Sequence, residues 1–276
     1  MLPTNALEMS AITKTYPGVQ ALDRVDFAVR SGEIHALMGE NGAGKSTLMK
    51  ILFGAVPRDS GQILIKGNPV EIRNPADAQR LGVSMVHQEL HLVPQMNAAQ
   101  NIFLGRAPTL DPLHQVLHRR SMAEGAEKLL AQVGAKIDVS RPVRELSIAQ
   151  RQMIEIAKAL SYKADVWVMD EPTSSRTDHE IDELFRALRK LTADGVAVVF
   201  ISHRLEEVFT IADHITVLRD GHNVGTVERA AVRPDDVIRM MVGRDLQEMY
   251  PKHSTQLGSE ALRLEKVSAT GEQGRV

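Results

Sequence analysis

The chain has 276 residues, 43% of them hydrophobic, which is enough for one large α/β domain or two small ones with a sizeable core. Its formal net charge of -2 gives no electrostatic footprint for a nucleic-acid groove, which a strongly basic face would supply. With no cysteine, a disulfide framework and thiol redox chemistry are both excluded.

Taken in order, Leu7 and Met9, then Val25, Phe27 and Val29, alternate with polar neighbours. This period of two predicts two half-buried strands of an antiparallel sheet. Between them stands Tyr16-Pro17-Gly18, where the tyrosine reads equally as a surface aromatic or as a stacking platform for adenine. A short apolar run (Ile34, Ala36, Leu37, Met38) then feeds Gly39-Glu40-Asn41-Gly42-Ala43-Gly44-Lys45-Ser46-Thr47, and a helix-compatible run from Leu48 to Phe53 leaves it. Strand, glycine-rich loop and helix in that order match the G-x-x-x-x-G-K-[ST] phosphate loop. Its backbone N–H groups converge on an anionic triphosphate at a helix N-terminus, with Lys45 aimed at the β and γ phosphates and Ser46 at Mg²⁺. A plain tight turn would need neither the lysine nor the hydroxyl.

Gly54 stops the helix, and Gly61 to Ile65 with Val70 and Ile72 predict a hairpin around Lys66-Gly67-Asn68-Pro69. Val83 to Val86 reads as a buried strand followed by Gln88, a loop residue whose amide, beside a phosphate loop, can meet Mg²⁺ or the attacking water. From Asn97 to Ser161 the pattern is helical. Ser121-Met122-Ala123-Glu124 predicts a capping box, followed by Met122, Ala126, Leu129, Leu130 and Val133 at helical spacing. A second helix is expected from Ile148 to Ser161, apolar along Ala149, Met153, Ile156, Ala157 and Leu160. The pairs His87/His91 and His114/His118 lack the pattern of a zinc site on one helix.

Val166 to Met169 is an unalternating apolar run, as a parallel strand covered on both faces requires, and it ends in Asp170-Glu171-Pro172-Thr173. The carboxyl end of such a strand is where an open α/β sheet binds its ligands. There Asp170 is placed toward Mg²⁺ and Glu171 toward water. Thr177 and Glu180 predict a capping box for a helix with Ile181, Leu184, Phe185, Leu188 and Leu191 on one face, ended by Gly195. Val196 to Ile201 predicts another buried strand, leading to Ser202-His203-Arg204, with His203 at the same sheet edge as Asp170. A strand over Ile215 to Leu218 and a helix over Pro234 to Val242 complete the pattern. The 196–201 run is far short of the roughly 20 apolar residues of a membrane helix, and the N-terminus lacks a signal-peptide pattern, so membrane association is expected through a partner. After a polar stretch (Lys252 to Glu260), Leu262-Arg263-Leu264-Glu265-Lys266-Val267 repeats the pattern of Leu7 to Ile12 and looks like the opening strand of a second copy of the same domain.

The phosphate loop, Gln88, Leu146-Ser147-Ile148-Ala149-Gln150, Asp170-Glu171 and His203, in this order, resemble the ATP-binding-cassette (ABC) ATPases. Three further stretches are similar to the tandem cassettes of ribose-, galactose- and xylose-type carbohydrate importers. They are His87-Gln88-Glu89-Leu90, Asn101 to Arg106, and Met153 to Leu160. The resemblance covers residues 7 to 250 and implies an α/β phosphate-loop NTPase fold: a parallel core sheet, an antiparallel β-subdomain and an inserted helical subdomain at about 97–161. It implies a cassette over 4–245, a linker over 246–260 and the start of a second cassette over 261–276. It assigns Tyr16 to adenine stacking, Gly39 to Thr47 to phosphate, and Ser46, Gln88 and Asp170 to Mg²⁺. Glu171 becomes the general base, His203 the γ-phosphate contact, and Ser147 and Gln150 the lid over a partner cassette's nucleotide. ATP and Mg²⁺ are the implied ligands. The implied partners are a second cassette in cis, an integral membrane permease and, through it, a periplasmic or extracellular sugar-binding protein, with the chain peripheral at the cytoplasmic membrane face.

Two departures stand out. Ile148 and Ala149 replace the usual signature glycines, and Arg176 stands where the resembling family has leucine. Other roles for such a cassette are translation or DNA repair, opposed by the near-neutral charge, and non-hydrolysing regulation, opposed by Lys45, Asp170, Glu171 and His203.

Overall fold

The computed structural model describes residues 5–86, 92–111, 116–162, 164–173 and 178–243, together with 262, 263, 265, 270, 271, 274 and 275. The chain divides into two units, Met1–Gly243 and Arg244–Val276. In the first, β1 (Asn5–Tyr16) and β2 (Val19–Arg30) pair antiparallel before β3 (Ile34–Met38) and α1 (Lys45–Leu52). Next come β4 (Ser60–Ile65), β5 (Asn68–Val70), α2 (Pro75–Arg80) and β6 (Val83–Val86). The helical stretch holds α3 (Ala98–Ile102), a small ribbon of β7 (Thr109–Asp111) and β8 (Val116–Leu117), α4 (Arg119–Gln132) and α5 (Ile148–Leu160). There follow β9 (Val166–Asp170), α6 (Asp178–Ala193), β10 (Ala197–Ile201), α7 (Leu205–Ile211), β11 (His214–Arg219), β12 (His222–Glu228) and α8 (Pro234–Val242).

The core sheet has the order β12-β11-β3-β10-β9-β6, and every neighbour pair within it is parallel except β11–β12. Its apolar runs do alternate, but between two cores. Ile34, Ala36, Met38, Trp167, Met169, Val198 and Phe200 pack against the helices α3 to α7. Leu37, Val166, Val168, Val199 and Ile201 pack against α1 and the sheet β2-β1-β4-β5. A strand buried on both faces has no polar side to show, which is why the sequence runs lacked alternation.

Three expectations change. The α4 helix starts at Arg119, where the imidazole of His118 accepts the Ser121 N–H at 2.9 Å, so Ser121 lies inside the first turn and is not the cap. The local S-x-x-E pattern yields to an earlier acceptor. The elements α2, α7 and β12 were not predicted, nor was the β7–β8 ribbon inside the stretch read as helical; each has seven residues or fewer, too few to show a hydrophobic period. In the second unit the described residues Leu262, Arg263 and Glu265 lie outside any strand, and the short strands are β13 (Thr270–Gly271) and β14 (Gly274–Arg275). The remainder of the expected strand over 262–267 falls outside the described residues.

Within the helical stretch, the fully buried Asn101 accepts the Val93 N–H at 2.7 Å and donates to the carbonyls of Val93, Met96 and Asn97. One side chain thereby satisfies the turn that returns the chain from sheet to helices, where an unpaired buried amide would be costly.

Candidate nucleotide site

At the carboxyl end of β3 the backbone makes a sequence of left-handed turns. Gly39, Gly42 and Gly44 have φ of 149°, 87° and 103°. A Cβ on Gly39 would stand 2.2 Å from the Leu218 carbonyl oxygen, and one on Gly44 2.7 Å from Leu22 and 2.8 Å from the Ala21 carbonyl oxygen. Glycine is required there for space as well as for φ. Gly44 is the N-cap of α1 and offers no side chain to the first N–H groups of the helix, so these donors face the cleft as an anion site.

Lys45, only 9% exposed, turns its Nζ back to the carbonyls of Gly39 at 2.7 Å and Glu40 at 3.0 Å. Burial lowers its pKa, while the carboxylates of Glu171 and Asp170 act in the opposite direction. Two carbonyls hold the ammonium at the mouth of the loop without neutralising it, which suits a charge reserved for phosphate.

Two strands along the same sheet, with β10 between it and β3, β9 delivers Asp170 and Glu171. Glu171 has φ 44°, a left-handed conformation uncommon for an L side chain and shared here by Ala11, Arg24, Lys66 and Asp220, and its N–H donates to the Ile201 carbonyl at 3.0 Å. The end of β10 delivers His203, whose Nδ1 lies 3.2 Å from Glu171 Oε1. A cleft of about 530 Å³ is lined by Asn41 to Thr47, Asp170, Glu171 and Ile201. Also lining it are Val19, Gln20, Ala21, Asp220 and Gly221, which sequence reading missed. The signal available was the Asp220-Gly221 dipeptide, a hairpin turn between β11 and β12, where Asp220 takes φ 50°.

Tyr16 is not among the lining residues; it lies across the β1–β2 turn and is 38% exposed, with Lys14 Nζ 5.6 Å from its ring centre. Gln88, His87, His91, His114 and Arg176 fall outside the described residues. Ser147 and Gln150 are not brought to the phosphate loop. They cap α5 reciprocally, Ser147 Oγ accepting the Gln150 N–H at 3.2 Å and Gln150 Oε1 accepting the Ser147 N–H at 3.0 Å. Both line a separate cleft with Lys136, Arg186 and Lys190.

Among the described residues no group of three or more His, Cys, Asp and Glu side chains gathers to hold a metal. The pair that reaches the cleft, the Ser46 hydroxyl and the Asp170 carboxylate, suits Mg²⁺, which takes one or two protein oxygens and completes its shell with phosphate and water.

A phosphate loop opening a helix, with acids at the end of another parallel strand of the same sheet, defines a phosphate-loop nucleotide-binding protein. The sequence pattern of the ABC transporter family matches residues 22–174, and the chain belongs to that family. Over 96% of its length it is 50% identical to ribose import ATP-binding protein RbsA 1 of Rubrobacter xylanophilus. Over 98% it is 47% identical to ribose import ATP-binding protein RbsA 2 of Streptomyces coelicolor. It spans about half the length of these curated relatives, 52% and 51%. Among solved structures it is similar to MJ1267, an ATP-binding cassette of an ABC transporter, in its ADP conformation. That likeness has a TM-score of 0.76 at 26% identity and covers 87% of this chain and 99% of the other.

Proposed function

We propose that the chain is the ATP-hydrolysing cassette of an importer that powers uptake of a sugar of the ribose or galactose class through a separate membrane permease. The observation that carries the hydrolytic reading is the Glu171–His203 pair, 3.2 Å apart, with Glu171 lining the cleft of the phosphate loop and His203 next to it outside the lining. The α1 N–H groups and Lys45 bind the triphosphate. Glu171 takes the proton of a water that attacks the γ phosphorus, the bond from that phosphorus to the β–γ bridging oxygen breaks, and ADP and phosphate are the products. His203 hydrogen-bonds the γ phosphate and orients Glu171. Ser46 and Asp170 would hold Mg²⁺, with Gln88 as a third contact on the family resemblance, and the ion would supply positive charge to offset that of the triphosphate. Tyr16 is the proposed adenine platform.

Sugar import rests on the ribose and galactose names of the relatives. No helix among the described residues is long and apolar enough to cross a membrane. The cassette is therefore read as peripheral, held at the cytoplasmic face by its permease, which receives sugar from a binding protein outside. The placement of Ser147 and Gln150 away from their own phosphate loop supports a composite site closed by a second cassette, as does the further length of the relatives. Residues 261–276 are read as its start. With Ile148 and Ala149 in the signature, two copies of this chain would give each other a poor lid. Steady-state ATPase of the chain alone and of the chain completed to the relatives' length tests this. Turnover is expected to be low alone and raised by completion; equal turnover per phosphate loop would overturn it. Ribose uptake into vesicles holding the permease, lost on Lys45→Ala, tests the transport reading.

A further inference from the structure

Beneath the loops that carry Glu171 and His203 lies a carboxylate that none of the sequence motifs includes. Glu207, the third residue of α7, is 4% exposed. Its Oε2 accepts hydrogen bonds from the hydroxyls of Thr173 at 2.5 Å and Ser202 at 2.9 Å. Its Oε1 lies 2.6 Å from the Arg204 guanidinium, a charge contact that lacks hydrogen-bond geometry. Ser202 Oγ in turn accepts the Arg204 N–H at 3.0 Å. Thr173 stands two residues after Glu171, and Ser202 and Arg204 flank His203 on either side.

The backbone alone leaves these two loops loosely joined. The strands β9 and β10 stay in register as far as Asp170 opposite Ile201. The bond from Glu171 N–H to Ile201 closes the ladder, and past it no backbone hydrogen bond among the described residues joins the loop at 171–173 to that at 202–204. A buried carboxylate is costly unless its partners hold it, and a hydrophobic residue would fill the same space without that cost. What a carboxylate does that a hydrophobe cannot is accept from both loops at once. The two hydrogen bonds that Oε2 accepts, one from each loop, join the segments on either side of Glu171 and His203, and such a link restricts the groups it holds.

We propose that Glu207 is a positioning residue for hydrolysis: it clamps the loop after β9 to the loop after β10 and thereby sets the separation of Glu171 and His203. It is buried and does not line the nucleotide cleft. The proposal rests on the reading of Glu171 as general base.

The test compares single-turnover ATP hydrolysis, MgATP affinity and the unfolding midpoint in the protein at its full natural length. The variants are Glu207→Gln, Thr173→Val, the two combined, Thr173→Ser and Glu171→Gln, measured beside the wild type. A misplacement of about 1 Å can cost about a hundredfold in rate. Glu207→Gln is therefore expected to slow hydrolysis by about tenfold to a hundredfold with MgATP affinity within about twofold, since the loss falls on the chemical step and not on binding. Thr173→Val is expected to show part of that loss, Thr173→Ser to restore the wild-type rate, and Thr173→Val to add little in the Glu207→Gln background. If Glu171→Gln hydrolyses as fast as the wild type, the general-base reading falls. If Glu171→Gln is inactive and Glu207→Gln runs at the wild-type rate, the base stands and the positioning role falls. Rate, affinity and midpoint falling together in Glu207→Gln, with Thr173→Ser no better than Thr173→Val, would assign Glu207 to folding alone and also overturn the proposal.

Discussion

The two ends of the core sheet both carry buried or half-buried polar side chains, yet they are built differently. At the amino ends of β3 and β11, Glu33 Oε1 accepts the Arg30 N–H at 2.7 Å and lies 3.1 Å from His35 Nδ1, while Glu33 Oε2 lies 2.9 Å from His214 Nδ1. His35 Nε2 meets the Thr216 hydroxyl at 2.7 Å, that hydroxyl meets Thr226 at 2.7 Å, and the two imidazoles stack with ring centres 5.9 Å apart. These groups are turned on each other, and they tie strands far apart in the chain. At the carboxyl ends, Lys45 leans on backbone carbonyls, Glu171 keeps a left-handed φ, and the cleft beside them is lined by N–H groups and acids. A closed polar network stabilises the sheet; an open one keeps its capacity for a ligand.

The largest expected effect falls at the open end. Glu171→Gln keeps the shape of the side chain but removes the base, so hydrolysis should fall by roughly a hundred to ten-thousandfold with MgATP still bound. Normal turnover in that variant would shift the base elsewhere, with His203 next in line. Lys45→Ala should weaken MgATP binding by about tenfold to a hundredfold, the worth of a hydrogen bond to a charged group, and leave the circular dichroism spectrum unchanged. Nucleotide affinity equal to that of the wild type would remove Lys45 from the phosphate site.

At the closed end the readout should be stability. Glu33→Ala removes the acceptor of the Arg30 N–H and the carboxylate beside two imidazoles and should lower unfolding free energy by about 1.5–3 kcal/mol, the range for hydrogen bonds to a charged group, with nucleotide affinity untouched. A variant as stable as the wild type, or one that lost nucleotide first, would erase the contrast between the two ends.

The smallest effect is its pH dependence. Burial alone would raise the Glu33 pKa. The hydrogen bonds from His35 and the Arg30 N–H, with the charges of His35 and His214, outweigh it and hold the pKa below its ordinary 4.5. A carboxylate depressed on folding stabilises the protein above the unfolded value, and that contribution is lost as pH falls through the folded one. Denaturation curves should therefore show Glu33 stabilising fully above about pH 4.5 and progressively less below it, and Glu33→Gln should flatten that limb. Identical acid limbs in the two proteins would contradict the assignment.

Much of the candidate site was legible because its requirements are local. The glycines of 39–44 are demanded by φ and by close backbone approach, and the lysine and hydroxyl that follow have no role in a bare turn. The apolar runs at 34–38, 166–170 and 197–201 are strands because both of their faces are covered, and the acids and histidine at their ends inherit a common edge from parallel register. What escaped reading were side chains whose partners lie far along the chain. Gln20, Ala21, Asp220 and Gly221 reach the cleft where the Gly221 carbonyl accepts the Asp23 N–H at 2.8 Å and the Gly221 N–H donates to the Ala43 carbonyl at 3.3 Å, contacts between segments far apart in the chain. The helix start at 119 escaped because a histidine outcompeted a serine for the same N–H.

By itself, then, the sequence determined the phosphate loop, the strands that feed the site, the amphipathic helices and the family, because turn geometry and hydrophobic period act over a few residues. Only the tertiary structure decided that β3 lies between β11 and β10, and that Glu33 meets a histidine of β11. The same is true of the join that Glu207 makes between Thr173 and Ser202. Those pairings are set by strand order and register, and nothing in the local spacing of residues encodes which distant hydroxyl or imidazole a buried carboxylate will face.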